Sequence, residues 1–306
     1  MNETYGRLLA QFFCKLKVLR LCCKNDRSTT FPLAFVQRLY NLKELHIIDF
    51  FLEEISPYGL VNNEGQYART FERLTELKLS KMPKLMHLWK ENSQQGRELQ
   101  NLEILTVSEC GRLKNLVSSS MYFQNLNTLV VTKCHGLISL ATSSAVKSLV
   151  QLKRLRIYEC KRMRETVTNE GEGEAEDEIC FNQLTFLTLH GLPTLRRFHL
   201  GNCSIKFPSL EYLSVTECPE MKIFSNGVLN TPKLKKVRFG ENNRWQDQRE
   251  VYVEEDVNST IKRYWEENYD PCVRQLFTEK VYFLMLLFYV NTKKMKCVEE
   301  PNGHIY

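Results

Sequence analysis

NLEILTVSECGRLKNL (101–116), NLNTLVVTKCHGLISL (125–140) and QLKRLRIYECKRMRET (151–166) are three copies of one pattern, L-x-x-L-x-L-x-x-C-x-x-L-x-x-L. Leu102, Leu105, Val107, Cys110, Leu113 and Leu116 fill it, and Leu126, Leu129, Val131, Cys134, Leu137 and Leu140 fill it again. Leu152, Leu155, Ile157, Cys160 and Met163 fill it a third time, with a polar Thr166 in the last place. The L-x-L centre alternates with period two, which is the signature of a strand buried on one face. A unit of this length makes one coil of a stack, because a single coil cannot bury its apolar face alone. Function is therefore to be sought on a stacked surface and not in a pocket.

The pattern is that of a leucine-rich repeat, and it extends in both directions. Earlier copies carry Leu16, Leu19 and Leu21, then Leu42, Leu45 and Ile47, then Leu74, Leu77, Leu79, Met82, Leu85 and Leu88. Later ones carry Leu184, Leu187, Leu189, Leu192, Leu195 and Phe198, then Leu210, Leu213, Val215, Cys218, Met221 and Phe224, and finally Leu234, Val237, Phe239 and Asn242. Successive first leucines lie 26, 32, 28, 24, 26, 32, 26 and 24 residues apart, which makes nine coils. The expected fold is an α/β leucine-rich-repeat solenoid, a horseshoe with a short-stranded parallel sheet on the concave face. Its convex arcs should be mostly irregular or briefly helical, with short helices at Phe31–Tyr40 and at Ser143–Leu149, the latter capped by Ser143. The solenoid should occupy residues 1–242, a capping segment residues 243–270, and a tail residues 271–306.

Two coils carry additional length. Pro57–Phe71 holds a proline, two glycines and the pair Asn62–Asn63, and reads as a loop. Glu165–Glu178 contains Glu170, Glu172, Glu174, Glu176 and Asp177 interleaved with glycine; carboxylates so dense repel one another and bury nothing, so a disordered lobe is expected. A calcium loop is the sharper alternative, but the D-x-D-x-D-G spacing is missing. After Phe239 the pattern stops. Asp256 is placed to cap a helix with Val257, Ile261, Tyr264 and Trp265 on one face, suited to covering the last coil. The tail combines an apolar run, Val281–Val290, with Lys293, Lys294 and Lys296, and reads as a further cap or a loose terminus ahead of an interfacial anchor. As a helix that run spans about 15 Å, half of a bilayer's hydrocarbon, so no stable membrane span is expected.

Forty-two basic against 36 acidic residues leave a net charge of +6, which permits an acidic partner without implying nucleic acid. Eleven cysteines would suit a secreted disulfide scaffold only in a small chain with an entry signal. Glu3, Arg7, Lys15 and Lys17 interrupt the place of such a signal, so reduced thiols and a cytoplasmic location are expected. The sequons at Asn2, Asn202 and Asn258 then carry no meaning.

Cys110, Cys134, Cys160 and Cys218 occupy one slot of different coils and lack the paired spacing of a zinc site. That slot takes Asn or Cys, whose side chain turns inward to hydrogen-bond the backbone as the strand bends into the arc; Asn242 fills it in the last coil. No metal, no cofactor and no catalytic constellation is expected. The six histidines are scattered, and no glycine is followed by lysine as a phosphate-binding loop requires. What remains is the sheet's solvent face, where side chains between the inward leucines emerge. Coils six to eight place Arg154, Arg156, Tyr158, Phe186, His190 and Tyr212 there, continued by Lys236 and Arg238 in coil nine. Exposed arginines with aromatics are what binding hot spots are made of; the alternative is that the rings simply cover the ladder and pack on one another.

FPSLEYLSVTECPEMKIFSNG (Phe207–Gly227), LKLSKMPKLMHLW (Leu77–Trp89), FLTLHGLPTLRRF (Phe186–Phe198), the acidic insertion before Ile179–Phe181 and VNSTIKRYWEE after the last coil resemble one family. It is the C-terminal repeat region of plant intracellular nucleotide-binding leucine-rich-repeat disease-resistance proteins of the coiled-coil class. The resemblance implies recognition of pathogen effectors, or of host proteins that effectors modify, and restraint of a nucleotide-binding domain within a longer receptor. No P-loop is present in this chain, and beyond about Phe283 the family's pattern is no longer followed. A reading from another class is the substrate-selecting arm of an F-box-type ubiquitin ligase. That would need a helical F-box before the first coil, where fewer than twenty residues precede Leu16.

Overall fold

The computed structural model describes residues 15–23, 36, 39, 41–55, 73–88, 99–117, 123–169, 178–240 and 249–268. With strands numbered along the chain, each leucine pair forms a five-residue strand: β1 (Val18–Cys22), β2 (Glu44–Ile48), β3 (Glu76–Ser80), β4 (Ile104–Ser108), β5 (Thr128–Thr132), β7 (Arg154–Tyr158), β10 (Phe186–His190), β13 (Tyr212–Thr216) and β15 (Lys236–Gly240). All nine lie parallel, in chain order, in one sheet. The register follows from the repeat. Leu105 lies opposite Leu129, and Leu129 opposite Leu155, so each inward column is a continuous row of apolar side chains. All three are fully buried, and burying a leucine contributes roughly 2 kcal/mol.

The residue that follows each strand turns the chain into the arc. Asp49, Lys81, Glu109, Lys133, Glu159, Gly191 and Glu217 all take φ between 52° and 64°, the left-handed region. Their N–H groups continue the ladder: Glu109 donates to the Thr132 carbonyl at 2.9 Å and Lys133 to that of Tyr158 at 2.9 Å. Six of these seven residues carry a side chain in a conformation that costs about 1–2 kcal/mol per residue, and the additional inter-coil hydrogen bond offsets it.

The arcs are more ordered than the spacing predicts. β6 (Ala141–Thr142), β8 (Glu165–Thr168) and β11 (Arg197–His199) make a second parallel sheet in the order β11-β8-β6. β9 (Glu178–Cys180), β12 (Ser204–Lys206) and β14 (Leu229–Asn230) make a third, in the order β14-β12-β9. Both ends of the expected acidic lobe are therefore paired strand, and only 170–177 fall outside the described residues. Between the sheets Phe181 stacks on Phe207 at 5.3 Å and Phe198 on Phe224 at 4.9 Å. Helix α1 (Ser143–Val146) is one turn, shorter than expected. Its cap is Thr142, whose hydroxyl accepts from the Ala145 N–H, because Ser143 is already inside the turn and buried. The loop expected at 57–71, most of the helix expected at 31–40, Asn242 and the tail at 271–306 lie outside the described residues.

After the ninth coil the chain reverses. β16 (Arg249–Tyr252) pairs antiparallel with β15 and covers the edge of the parallel ladder. Helix α2 (Val257–Asn268) follows, its first turn capped by Asp256, whose Oδ1 accepts from the Ser259 N–H at 2.8 Å. Asn258 fixes that turn to the last full arc: its Oδ1 accepts from the N–H groups of Phe224 and Ser225, and its Nδ2 donates to the Ser225 carbonyl. Val257 and Ile261 are buried. Contacts divide the chain into two units, Met1–Ile261 and Lys262–Tyr306; in the second, Tyr264 and Trp265 meet edge to face at 5.9 Å.

Candidate functional site

The solvent face of the sheet is built by alternation: positions one, three and five of each strand point away from the leucine columns. Hydrogen-bonded register then sets those positions side by side, Arg154 with Phe186 and Phe186 with Tyr212. The outcome is a row across coils six to nine. Arg154 lies over the Phe186 ring at 5.4 Å, Phe186 meets Tyr212 at 5.9 Å, and Arg238 lies over Tyr212 at 5.4 Å. The rings do pack on one another, yet Phe186 and Tyr212 stay half-exposed and Arg154 and Arg156 exposed. Arg156, in the next column, makes no ion pair or hydrogen bond among the described residues.

The fifth position carries a polar cluster. His190 Nδ1 lies 2.8 Å from the Thr216 hydroxyl, its Nε2 is 3.9 Å from Glu217, and its ring meets Tyr158 edge to face at 6.0 Å. Tyr158 and His190 are thus held in place. A hydroxyl, an imidazole and a carboxylate come together here, but Thr216 is 4% exposed and the carboxylate is beyond hydrogen-bond reach. The cluster orients side chains. The spacing of leucines gives no hint of it, since Thr216 and Glu217 read as ordinary strand and turn residues.

Lys236 and Arg238 differ from the other face residues. Both turn to Glu250 on β16, Lys236 at 3.4 Å and Arg238 at 2.9 Å, and Lys236 also lies 4.6 Å from the Tyr252 ring. The Arg238 guanidinium and then the Lys236 ammonium hold the Glu250 carboxyl below the usual carboxylate range. At the other end of the sheet, His46 accepts from Arg20 Nε at 3.0 Å through Nδ1. Burial, followed by the nearby Lys78 and Arg20 charges, pushes its pKa below the ordinary imidazole value.

Beneath the face, the thiols of Cys110, Cys160 and Cys218 donate to the carbonyls two residues back, of Ser108, Tyr158 and Thr216, at 3.4, 3.4 and 3.3 Å. Cys134 reaches Thr132 at 3.5 Å and the preceding coil's Val107 carbonyl at 3.8 Å. All four are fully or nearly buried and free of disulfides. Burial pushes the Cys160 and Cys218 thiols up to about 12, so neither ionises near neutrality.

Nine parallel coils, two continuous apolar columns and a solvated sheet face define a leucine-rich-repeat solenoid, a scaffold for binding other proteins. The family model "Plant disease resistance protein RPS2-like, leucine-rich repeats" matches residues 2–122 and 118–238, and the chain belongs to that family. Among solved structures, the leucine-rich repeat domain of the type III effector XCV3220 (XopL) is similar at 17% identity and a TM-score of 0.43, over 76% of this chain and 82% of that one. That likeness is too distant to bear on function. No curated protein matches the chain. Among the described residues no helix is long and apolar enough to cross a membrane.

Proposed function

We propose that this chain is the recognition module of a plant immune receptor, acting in the cytoplasm, and that its sheet face binds a pathogen effector or a guarded host protein. In a longer receptor the same repeats would restrain the nucleotide-binding switch. The observation that carries the reading is Arg156, an exposed guanidinium without a partner among the described residues, one column away from the Arg154–Phe186–Tyr212 row. Arginine and aromatic side chains held by their neighbours lose little entropy when a partner covers them, which is why they dominate binding energy. The surface centres on Arg154, Arg156, Tyr158, Phe186, His190 and Tyr212. Lys236 and Arg238 form its border, since Glu250 already takes their charge.

The test is a pull-down from pathogen-challenged plant tissue with the wild-type chain and with Arg156→Glu/Tyr212→Ala. Loss of the captured partner from the double variant, with an unchanged thermal melt, supports the sheet face. Equal capture by both moves the site to the arcs.

A further inference from the structure

The arcs of coils four to seven carry a second charged surface, on a different side of each coil from the sheet face. In coil four Arg112 and Lys114 follow Cys110; in coil six Arg162 and Arg164 occupy the same slots after Cys160; in coil seven Arg196 stands four residues after Leu192. Backbone hydrogen bonds hold these slots in register: Lys114 N–H donates to the Met86 carbonyl, Arg164 N–H to that of Ile138, and Arg196 N–H to that of Arg164, each at 2.9 Å. All five cations are exposed, and among the described residues none makes an ion pair. Two neighbouring carboxylates are turned elsewhere, Glu159 towards Lys133 at 3.8 Å and Glu165 to the Leu200 N–H at 3.2 Å.

Coil five interrupts the cations with two residues of another kind. Gly136 presents no side chain, because a Cβ there would fall 2.5 Å from the Gly111 carbonyl oxygen, so Arg112 and Arg162 flank a gap. Ile138, between the rows of Lys114 and Arg164, is 45% exposed, an apolar spot inside a basic field.

We propose that this patch docks an acidic segment of a partner protein, whose carboxylates meet the guanidinium groups while one apolar side chain sits against Ile138. Guanidinium forks match carboxylates in bidentate geometry. Nucleic acid fits less well: among the described residues none of these cations is interleaved with an aromatic ring on which a base would stack. The proposal does not rest on the sheet-face reading, and either can fail without the other.

The experiment is fluorescence anisotropy with the full chain at physiological ionic strength. The probes are a labelled Glu-rich peptide carrying one Leu, the same peptide with Leu replaced by Glu, and a single-stranded oligonucleotide. Arg162→Glu/Arg164→Glu should weaken the Leu-bearing peptide by about tenfold or more. Arg154→Glu/Arg156→Glu, which changes the net charge equally on the sheet face, should leave it unchanged. Ile138→Ser should weaken that peptide several-fold and not the Leu-free one. The proposal is overturned by no binding, by equal loss in both double variants, or by tighter binding of the oligonucleotide.

Discussion

Gly191 and the four buried cysteines show how single residues fit this chain to its coil. Gly191 takes the left-handed turn at φ 64° without a side chain, whereas six other coils place Asp, Lys or Glu there. A Cβ would lie 3.2 Å from the Glu159 side chain, a tight but yielding contact. Gly191→Ala adds about 1–2 kcal/mol of backbone strain and recovers about 0.4–1 kcal/mol by stiffening the unfolded chain, so urea unfolding should show a net loss near 1 kcal/mol. The thiols make a pH prediction. Cys160 and Cys218 have folded pKa values of about 12 against an ordinary value of 9.0. A folded value raised in this way gives stability that is complete below about 9 and is lost as pH rises towards 12. Unfolding midpoints should therefore fall between pH 9 and 11, and the fall should be shallower in Cys218→Ala. A flat profile over that range would contradict the burial assigned to these thiols.

At the scale of elements, the strands of the large sheet were legible because leucine spacing states both alternation and register: Leu102, Leu105 and Val107 predict β4 and its partners at once. The arc strands were not. β6, β8 and β11 hold two to four residues each and pair only because the large sheet has already set their coils in line. β16 was invisible for another reason. Arg-Glu-Val-Tyr has no apolar face of its own, and its pairing rests on Glu250 meeting Lys236 and Arg238 across the ladder. The candidate site was half legible for the same cause: alternation placed Arg154, Phe186 and Tyr212 on the solvent face, but not the pairing of Arg238 with Glu250 or of His190 with Thr216. The C-terminal cap depends on one amide. Asn258→Ala leaves the Phe224 and Ser225 N–H groups and the Ser225 carbonyl without that partner. A loss of about 1–3 kcal/mol is expected, read as a lower urea midpoint with the slope retained; an unchanged midpoint would show that water replaces the amide fully.

The nine described repeat strands form a stack, and the stability of such a stack is a sum of coil-to-coil interfaces. Leu129 sits at the centre of a column between Leu105 and Leu155, fully buried against both. Leu129→Ala should cost about 2–5 kcal/mol, more than the same change at Leu19, which is only half-buried in the first described strand. The same stacking sets the sheet's face residues in rows, so the proposed recognition through that face would draw on several coils at once. The most direct measurement of that claim is hydroxyl-radical footprinting of the captured complex, reading side-chain oxidation residue by residue. On that claim Tyr158, Phe186 and Tyr212 should oxidise several-fold more slowly in the complex than in the free chain, while the exposed Val228 on the arc side should keep its rate. Equal oxidation of the three rings, free and bound, would contradict it.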